Sequence, residues 1–139
     1  MDAVYQAFRR DFVSSRPQLD GINVGISRRL APDGIEERFW HLATEGDDEA
    51  SRTPDPRRCE RMGWPRALIE ALVASHAEVR AWNQLRPRQK TLVIGLDDFS
   101  YVVVLAAKTT HYLLVTAFCV EHGRRRATYR REWEQTGRT

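Results

Sequence analysis

The sequence predicts an α+β fold: an N-terminal helix and β-hairpin, central helices, a four-stranded antiparallel β-meander and a basic C-terminal helix. Three observations predict this class. Apolar residues recur at helical spacing in the first half of the chain, four short apolar segments follow in series between residues 79 and 120, and short polar connections separate these segments. The 139 residues, 42% hydrophobic and 29% charged, are expected to form a single domain over 1–139.

The N-terminal part is predicted as a helix followed by a β-hairpin. Val4, Phe8 and Phe12 are four residues apart, which places them on one face of an amphipathic helix over 2–16. Residues 22–27 alternate in polarity, and 31–34 have the composition of a turn. Residues 35–42, rich in aromatics, are therefore predicted as the second strand of the hairpin.

A polar loop and two helices are predicted in the centre of the chain. The loop over 43–56 carries an acidic cluster, Glu45, Asp47, Asp48 and Glu49. This cluster lacks the spacing of a calcium loop, so a solvated surface is favoured over a metal site. Asp55 and Pro56 have the chemistry of an N-cap and first helical residue, Gly63 is expected to end this helix, and Pro65 to start the next.

The second half is predicted as strands over 79–85, 91–96, 101–107 and 112–120, and then a helix over 122–135. The connections are short, and parallel pairing needs a long crossover, so the strands are expected to be antiparallel. Residues 92–94 and 102–105 are uninterrupted apolar runs. Both faces of the sheet are therefore expected to be covered, one by helices and the other by the N-terminal hairpin or a partner.

Charge and composition are compatible with several classes of protein and do not identify one. The chain has 22 basic and 19 acidic residues and a net charge of +3, a mild bias towards anionic partners. All the basic residues except Lys90 and Lys108 are arginine, which suits phosphate recognition but is equally a consequence of a GC-rich genome. Cys59 and Cys119 are expected to be reduced thiols, one in a helix and one in a strand.

Location and cofactors follow from motifs that the sequence lacks. There is no N-terminal apolar segment of the signal type, and the longest apolar run, residues 101–107, is too short to cross a bilayer. We expect a cytoplasmic protein with no membrane partner. The sequence contains no paired cysteine spacing, no His-x-x-x-His and no phosphate-binding loop, so neither a metal nor a cofactor is expected.

One constellation suits phosphodiester chemistry. His41 is followed within about twenty residues by Arg52, Arg57, Arg58 and Arg61. Transesterification of RNA needs a proton-transfer group active near neutral pH and fixed positive charge around the phosphate, which is what a histidine and arginines in one cleft supply. The alternative is that Trp40 and His41 are a partly buried aromatic pair, with the arginines paired to nearby carboxylates.

Two further features are candidates for binding RNA. Thr116 is a lone hydroxyl in an apolar strand, where it needs a partner if buried, although it is equally well an ordinary strand threonine. The C-terminal helix carries Arg124, Arg125 and Arg130, and Tyr129 and Trp133 are expected to pack inward. These arginines, with Arg57 and Lys108, are the predicted contacts to RNA phosphates; a solvated charged face is the alternative.

Four segments together resemble a group of small phage- and mobile-element-associated bacterial proteins. The segments are Phe39-Trp40-His41-Leu42-Ala43-Thr44-Glu45-Gly46, Ser51-Arg52-Thr53-Pro54-Asp55-x-Arg57-Arg58-x-x-Arg61-x-x-Trp64, Tyr101-Val102-Val103-Val104-Leu105 and Tyr112-Leu113-Leu114-Val115-Thr116-Ala117-Phe118, followed by a basic helix. This group is similar to the superfamily that gathers barnase, EndoU, tRNA-cleaving colicins and RelE-type toxins. The resemblance covers roughly residues 35–135 as a ribonuclease-like core and leaves 1–34 as an extension.

The resemblance implies a metal-independent endoribonuclease of the toxin type that produces a 2′,3′-cyclic phosphate. His41 would be the general base or acid, Arg52 and Arg58 or Arg61 would stabilise the phosphorane, and Thr116 would orient the phosphate. His41 precedes the helices instead of lying among the final strands, and His111 or Glu45 is the candidate for a second acid/base group. The implied partners are RNA, with tRNA as one candidate, and an antitoxin or immunity protein.

Two other functions stay open from the sequence. A non-catalytic RNA- or protein-binding module would use the same fold and the basic helix over 122–135. An immunity or assembly protein would form a stable homodimer insensitive to RNA.

Overall fold

The first helix of the computed structural model, which describes residues 1–46, 52–84 and 87–138, is the predicted amphipathic one. Helix α1 (Asp2–Phe8) continues as a π-helical turn over Arg9–Val13. Phe8 and Phe12 are buried, as the four-residue spacing predicts. Strands β1 (Gln18–Leu19) and β2 (Ile22–Gly25) follow as a short antiparallel pair.

The prediction of a second hairpin strand over 35–42 is wrong. Residues 31–34 do form a turn, with Gly34 at a φ of +81°, but helix α2 (Glu37–Ala43) follows it. Phe39, Leu42 and Ala43 are buried together, and spacings of three and four residues place side chains on one face only in a helix. The local aromatic content favours a strand, but packing of Phe39 against Phe8, with ring centroids 5.5 Å apart, favours the helix.

The two predicted central helices are confirmed, but the segment predicted as a polar loop over 43–56 contains a short pair of strands in its described part. Strands β3 (Thr44–Glu45) and β4 (Thr53–Pro54) pair with each other, and helices α3 (Pro56–Glu60) and α4 (Trp64–Val73) follow. The Asp55 side chain accepts hydrogen bonds from the backbone N–H groups of Arg57 and Arg58, so its N-cap role is confirmed. Residues 47–51, including Asp47, Asp48 and Glu49 of the acidic cluster, lie outside the described residues.

The predicted antiparallel meander is confirmed. It consists of β5 (Val79–Gln84), β6 (Thr91–Leu96), β7 (Tyr101–Ala107) and β8 (Tyr112–Cys119), each paired with the next. Leu85, predicted as the end of the first of these strands, lies outside the described residues. Strand β2 adds to β8 in parallel, which makes the sheet mixed.

The chain ends with the predicted basic helix, α5 (Gly123–Thr136), and a short strand β9 (Gly137–Arg138) that pairs with β5. The two faces of the sheet have separate apolar cores. Residues of α1, α2 and α4 pack on one face against Ile94 and Val103, and Tyr129 of α5 packs on the other against Trp82 and Val102. The expectation that the N-terminal hairpin or a partner covers the second face is therefore wrong: α5 covers it, and β2 extends the sheet instead.

Both cysteines are free thiols, Cys59 in α3 and Cys119 in β8, as predicted. Within the described parts of the chain, none of the helices is both long enough and apolar enough to cross a membrane.

Candidate functional site

Three arginines surround His41 at the C-terminal end of α2, and we call Arg38, Arg52 and Arg58 the arginine cluster. Arg38 precedes His41 by three residues on the same helix, so both lie on one face. Arg52 directly precedes β4, and Arg58 lies in α3. The short β3–β4 pair brings these two back to the end of α2, so the fold brings together the sequence-predicted residues His41, Arg52 and Arg58.

The guanidinium groups of Arg52 and Arg58 bind the backbone at the end of α2. Arg52 Nη2 and Arg58 Nη1 each lie 3.0 Å from the carbonyl oxygen of His41, and both arginines also bind the carbonyl oxygen of Thr44. Arg52 Nε donates to Thr44 Oγ1 at 2.9 Å. The last carbonyl groups of a helix have no partner within the helix, so these contacts also have a structural function.

Two carboxylates act on the arginine cluster: Asp55 lies beside Arg58, and the negative charge of Glu37 acts on Arg38. Arg58 Nε lies 3.7 Å from Asp55 Oδ2. In the described part of the chain, neither Arg38 nor Arg52 forms an ion pair with a carboxylate. The alternative predicted from the sequence, in which the arginines that follow His41 pair with carboxylates, therefore holds for Arg57 with Glu121, Arg58 with Asp55 and Arg61 with Glu60 at 3.9 Å. Among the described residues, it does not hold for Arg52.

His41 is neutral near pH 7 in this environment. It remains in contact with solvent, but partial burial of the ring, together with the positive charges of Arg38, Arg52 and Arg58, lowers the pKa of His41 to about 4. A neutral imidazole is able to accept a proton, whereas an imidazolium is not.

Arg57 and Arg61 lie on the side of α3 towards the end of β8. Arg57 forms an ion pair with Glu121. Arg61 stacks on Trp64, with the guanidinium carbon 4.9 Å from the ring centroid, and its buried Nε has no hydrogen-bond partner among the residues that the structure describes. Both residues line a surface depression together with Arg126. Arg52 and Arg58, which bind the end of α2, do not line this depression.

A groove of about 960 Å³ opens between α5 and the sheet, on the face opposite α2 and α4. Its floor is formed by strands β6, β7 and β8 and its wall by α5. The residues of the groove are Gln84, Gln89, Thr91, Val104, Ala106, Val115, Thr116, Phe118, His122, Arg124, Arg125, Thr128, Tyr129 and Glu132. The floor is mainly apolar and the wall is mainly polar, which is the usual character of a ligand site.

A β-bulge shapes the floor of the groove. Val104 pairs with Thr116 and Leu105 with Leu114, so Val115 is an extra residue in β8. Side chains normally alternate between faces, but at the bulge Val115 and Thr116 both line the groove. The carbonyl oxygen of Val115 accepts a hydrogen bond from Arg38, which connects the arginine cluster to this border of the groove.

The predicted RNA-binding residues divide between the groove and other surfaces. Arg124 and Arg125 are in its wall, and Arg125 lies over Phe118, with the guanidinium carbon 5.0 Å from the ring centroid. Lys108 is next to it, because its Nζ donates to the groove residue Gln89 at 2.6 Å. Arg130 lies over Phe99 and lines a different depression, and Arg57 is not in the groove.

Three residues of the candidate site were not identified from the sequence. The sequence predicts a strand over 35–42, and in a strand Arg38 and His41, three residues apart, would point to opposite faces. His122 lines the groove at the N-terminal end of α5, whereas His111 is in the β7–β8 turn and Glu45 is in β3. Glu132 also lines the groove, and no local sequence signal distinguishes it from the other charged residues of α5.

Among residues 1–46, 52–84 and 87–138 there is no group of three or more side chains suited to holding a metal ion. Comparison of the chain with protein-family models, with curated proteins and with solved structures finds no match.

Proposed function

We propose that the protein is a metal-independent endoribonuclease that acts between the arginine cluster and the border of the groove at Val115, whose carbonyl oxygen Arg38 binds. The reaction is attack of a ribose 2′-oxygen on the adjacent phosphodiester, which leaves a 2′,3′-cyclic phosphate. The observation that supports this most is the position of His41 beside three guanidinium groups, two of which form no ion pair in the described part of the chain.

His41 is proposed as the general base. A pKa of about 4 makes the free imidazole a weak base. A phosphate group bound to the arginine cluster would partly offset the positive charge that lowers this pKa, so substrate binding itself would make His41 more basic. The same guanidinium groups would stabilise the negative charge that develops on the phosphorane.

The groove supplies the remaining groups that the reaction requires. His122 is the proposed general acid for the leaving 5′-oxygen, because it is the histidine that lines the groove. Thr116 has a hydroxyl on the groove floor, next to the Val115 carbonyl that Arg38 binds, and is proposed to orient the phosphate. RNA phosphates along the wall would contact Arg124 and Arg125, with Lys108 at its edge.

The test is RNA cleavage by purified protein in the presence of a chelator. Wild type is expected to fragment total RNA or tRNA with cyclic phosphate ends, and His41→Ala to lose this activity. His76→Asn is the matched control, since exposed His76 lies between α4 and β5, and asparagine is able to accept the bond from the Glu78 N–H. Intact RNA with wild type, or equal cleavage by His41→Ala, would overturn the proposal.

The toxin assignment and the antitoxin partner are part of the same proposal. They rest on the resemblance of residues 35–135 to ribonuclease toxins. Expression of wild type is expected to arrest bacterial growth and expression of His41→Ala to permit it. Equal growth in both cases would contradict the toxin type.

A second candidate function is RNA binding without cleavage. The engagement of Arg52 and Arg58 with carbonyl oxygens favours it, because those donors are then less available to a phosphate. Binding of single-stranded RNA would weaken with salt, and removing one phosphate contact, as in Arg124→Ala, would reduce the slope of log K against log[salt] by about 0.7. Salt-dependent binding with no turnover would select this function.

A further inference from the structure

Glu132 is the one carboxylate among the described residues that line the groove, and the same wall carries the basic or titratable side chains of His122, Arg124 and Arg125. In a site that bound only phosphate, a carboxylate at this position would repel the ligand. Within the described residues Glu132 forms no ion pair with a basic side chain. Its oxygen atoms are therefore not engaged by a cation and are available as hydrogen-bond acceptors.

Two side chains of strand β5 fix the orientation of the Glu132 carboxylate. Trp82 Nε1, on a fully buried ring, donates to Glu132 Oε1 at 3.1 Å. Gln84 Nε2 donates to the same oxygen at 3.0 Å. Both lone pairs of Oε1 are thereby occupied, and Oε2 has no hydrogen-bond donor among the described residues, so it is the oxygen left to accept from a ligand.

The surroundings of Glu132 suit a nucleobase. Val104 and Ala106 provide an apolar floor in the same groove. Arg125, which lies over Phe118 and donates to the Tyr129 hydroxyl, forms no ion pair with a carboxylate in the described part of the chain. A flat base on this floor would present its edge to Glu132 while a neighbouring phosphate contacts Arg125.

We infer that Glu132 selects guanine in the bound RNA strand. Among the four RNA bases, guanine alone presents two adjacent N–H donors, N1–H and N2–H, on its Watson–Crick edge, and the two lone pairs of Oε2 are able to accept from both. Uracil offers one such donor, and adenine and cytosine offer an exocyclic amine next to a ring acceptor that the carboxylate repels. This inference rests on RNA as the ligand in the proposed function, but not on cleavage.

The test measures binding of uncleavable RNA, so it does not depend on catalysis. Fluorescently labelled 2′-O-methyl pentanucleotides, UUGUU, UUAUU and UUUUU, are titrated with wild-type protein. UUGUU is expected to bind about tenfold more tightly than the other two. Glu132→Gln is expected to reverse this preference, because its amide oxygen would face Trp82 and Gln84 and its NH₂ group would then face the base as a donor.

Glu134→Gln is the matched control, since Glu134 is an exposed acidic residue of the same helix outside the groove. It removes the same charge and is expected to retain the wild-type preference. A structural role for Glu132 alone would change stability but not the ratio of affinities.

Absence of guanine preference in wild type, an unchanged preference in Glu132→Gln, or no binding of any of the three RNAs would each overturn the inference. Guanine-selective binding without RNA cleavage would overturn the ribonuclease proposal and leave this inference standing.

Discussion

His41 is the residue whose ionisation reports most directly on the arginine cluster. Burial of its ring and the nearby guanidinium groups lower its pKa to about 4, from about 6.5 for a free histidine. An NMR titration of the ring protons is expected to give this low value in wild type and a higher one in Arg38→Gln. Inorganic phosphate is expected to raise the pKa in wild type. A value near 6.5 in wild type, unaffected by phosphate, would contradict an anion site here.

The same shift affects stability against pH. The pKa of His41 is lower in the folded protein than in the unfolded chain, so the unfolded chain binds more protons between pH 6.5 and about 4. Acidification through this interval therefore favours unfolding. Wild type is expected to lose more stability than His41→Asn between pH 7 and pH 4.5, measured by urea unfolding. Parallel losses in the two proteins would show that His41 does not titrate differently on folding.

At the scale of elements, Arg52 holds the end of α2 to the β3–β4 pair. Its guanidinium donates to three carbonyl oxygens and to Thr44 Oγ1. Arg52→Ala is expected to lower the free energy of unfolding by about 1–3 kcal/mol, because partly buried acceptors at the helix end lose their donors.

Arg57→Ala is the comparison for this prediction. It removes an arginine of α3 whose ion pair with Glu121 is exposed, and a change of no more than about 1 kcal/mol is expected. Chemical denaturation of both variants measures the difference. Equal effects would mean that the contacts of Arg52 with α2 do not stabilise the fold.

Elements with strong local signals could be predicted from the sequence, and those decided by packing could not. Asp55 with Pro56 marks the start of α3, and the four apolar runs are strands. Gly63, predicted to end α3, is instead the N-cap of α4, because α3 ends at Glu60. The aromatic residues of helix α2 have high strand propensity and favour the wrong prediction, whereas packing of Phe39 against Phe8 of α1 favours the helix. The β1–β2 turn did have a local signal: Asp20 and Gly21, both at positive φ, form a two-residue hairpin loop.

At the scale of the whole molecule, the two parts of the candidate site differ in how far they could be predicted. His41, Arg52 and Arg58 are close in sequence, so their convergence needs only one short hairpin. The groove needs β8 to pair with β7, a bulge at Val115, and α5 to fold back across the sheet. These are long-range arrangements without a local signal, which is why His122 and Glu132 were not identified from the sequence.

The sheet joins two apolar cores, one on each face, and the last prediction concerns whether they unfold together. Trp82 is the largest fully buried side chain, and it lies in the core beneath α5, against Phe99 and Tyr129. Phe39 is fully buried in the core beneath α1 and α2. Strands β5, β6 and β7 contribute residues to both cores, so disruption of either is expected to destabilise the whole sheet.

Trp82→Ala and Phe39→Ala are therefore each expected to lower the free energy of unfolding by about 3–5 kcal/mol, while the transition stays single. Denaturation followed by far-ultraviolet circular dichroism and by tryptophan fluorescence measures this, and the two signals should coincide in each variant. Trp82→Ala also removes a donor that fixes Glu132, so it is expected to weaken any guanine preference, whereas Phe39→Ala is expected to leave the preference intact in the folded fraction. Two separated transitions in Trp82→Ala would show instead that α5 is released from a sheet that remains folded.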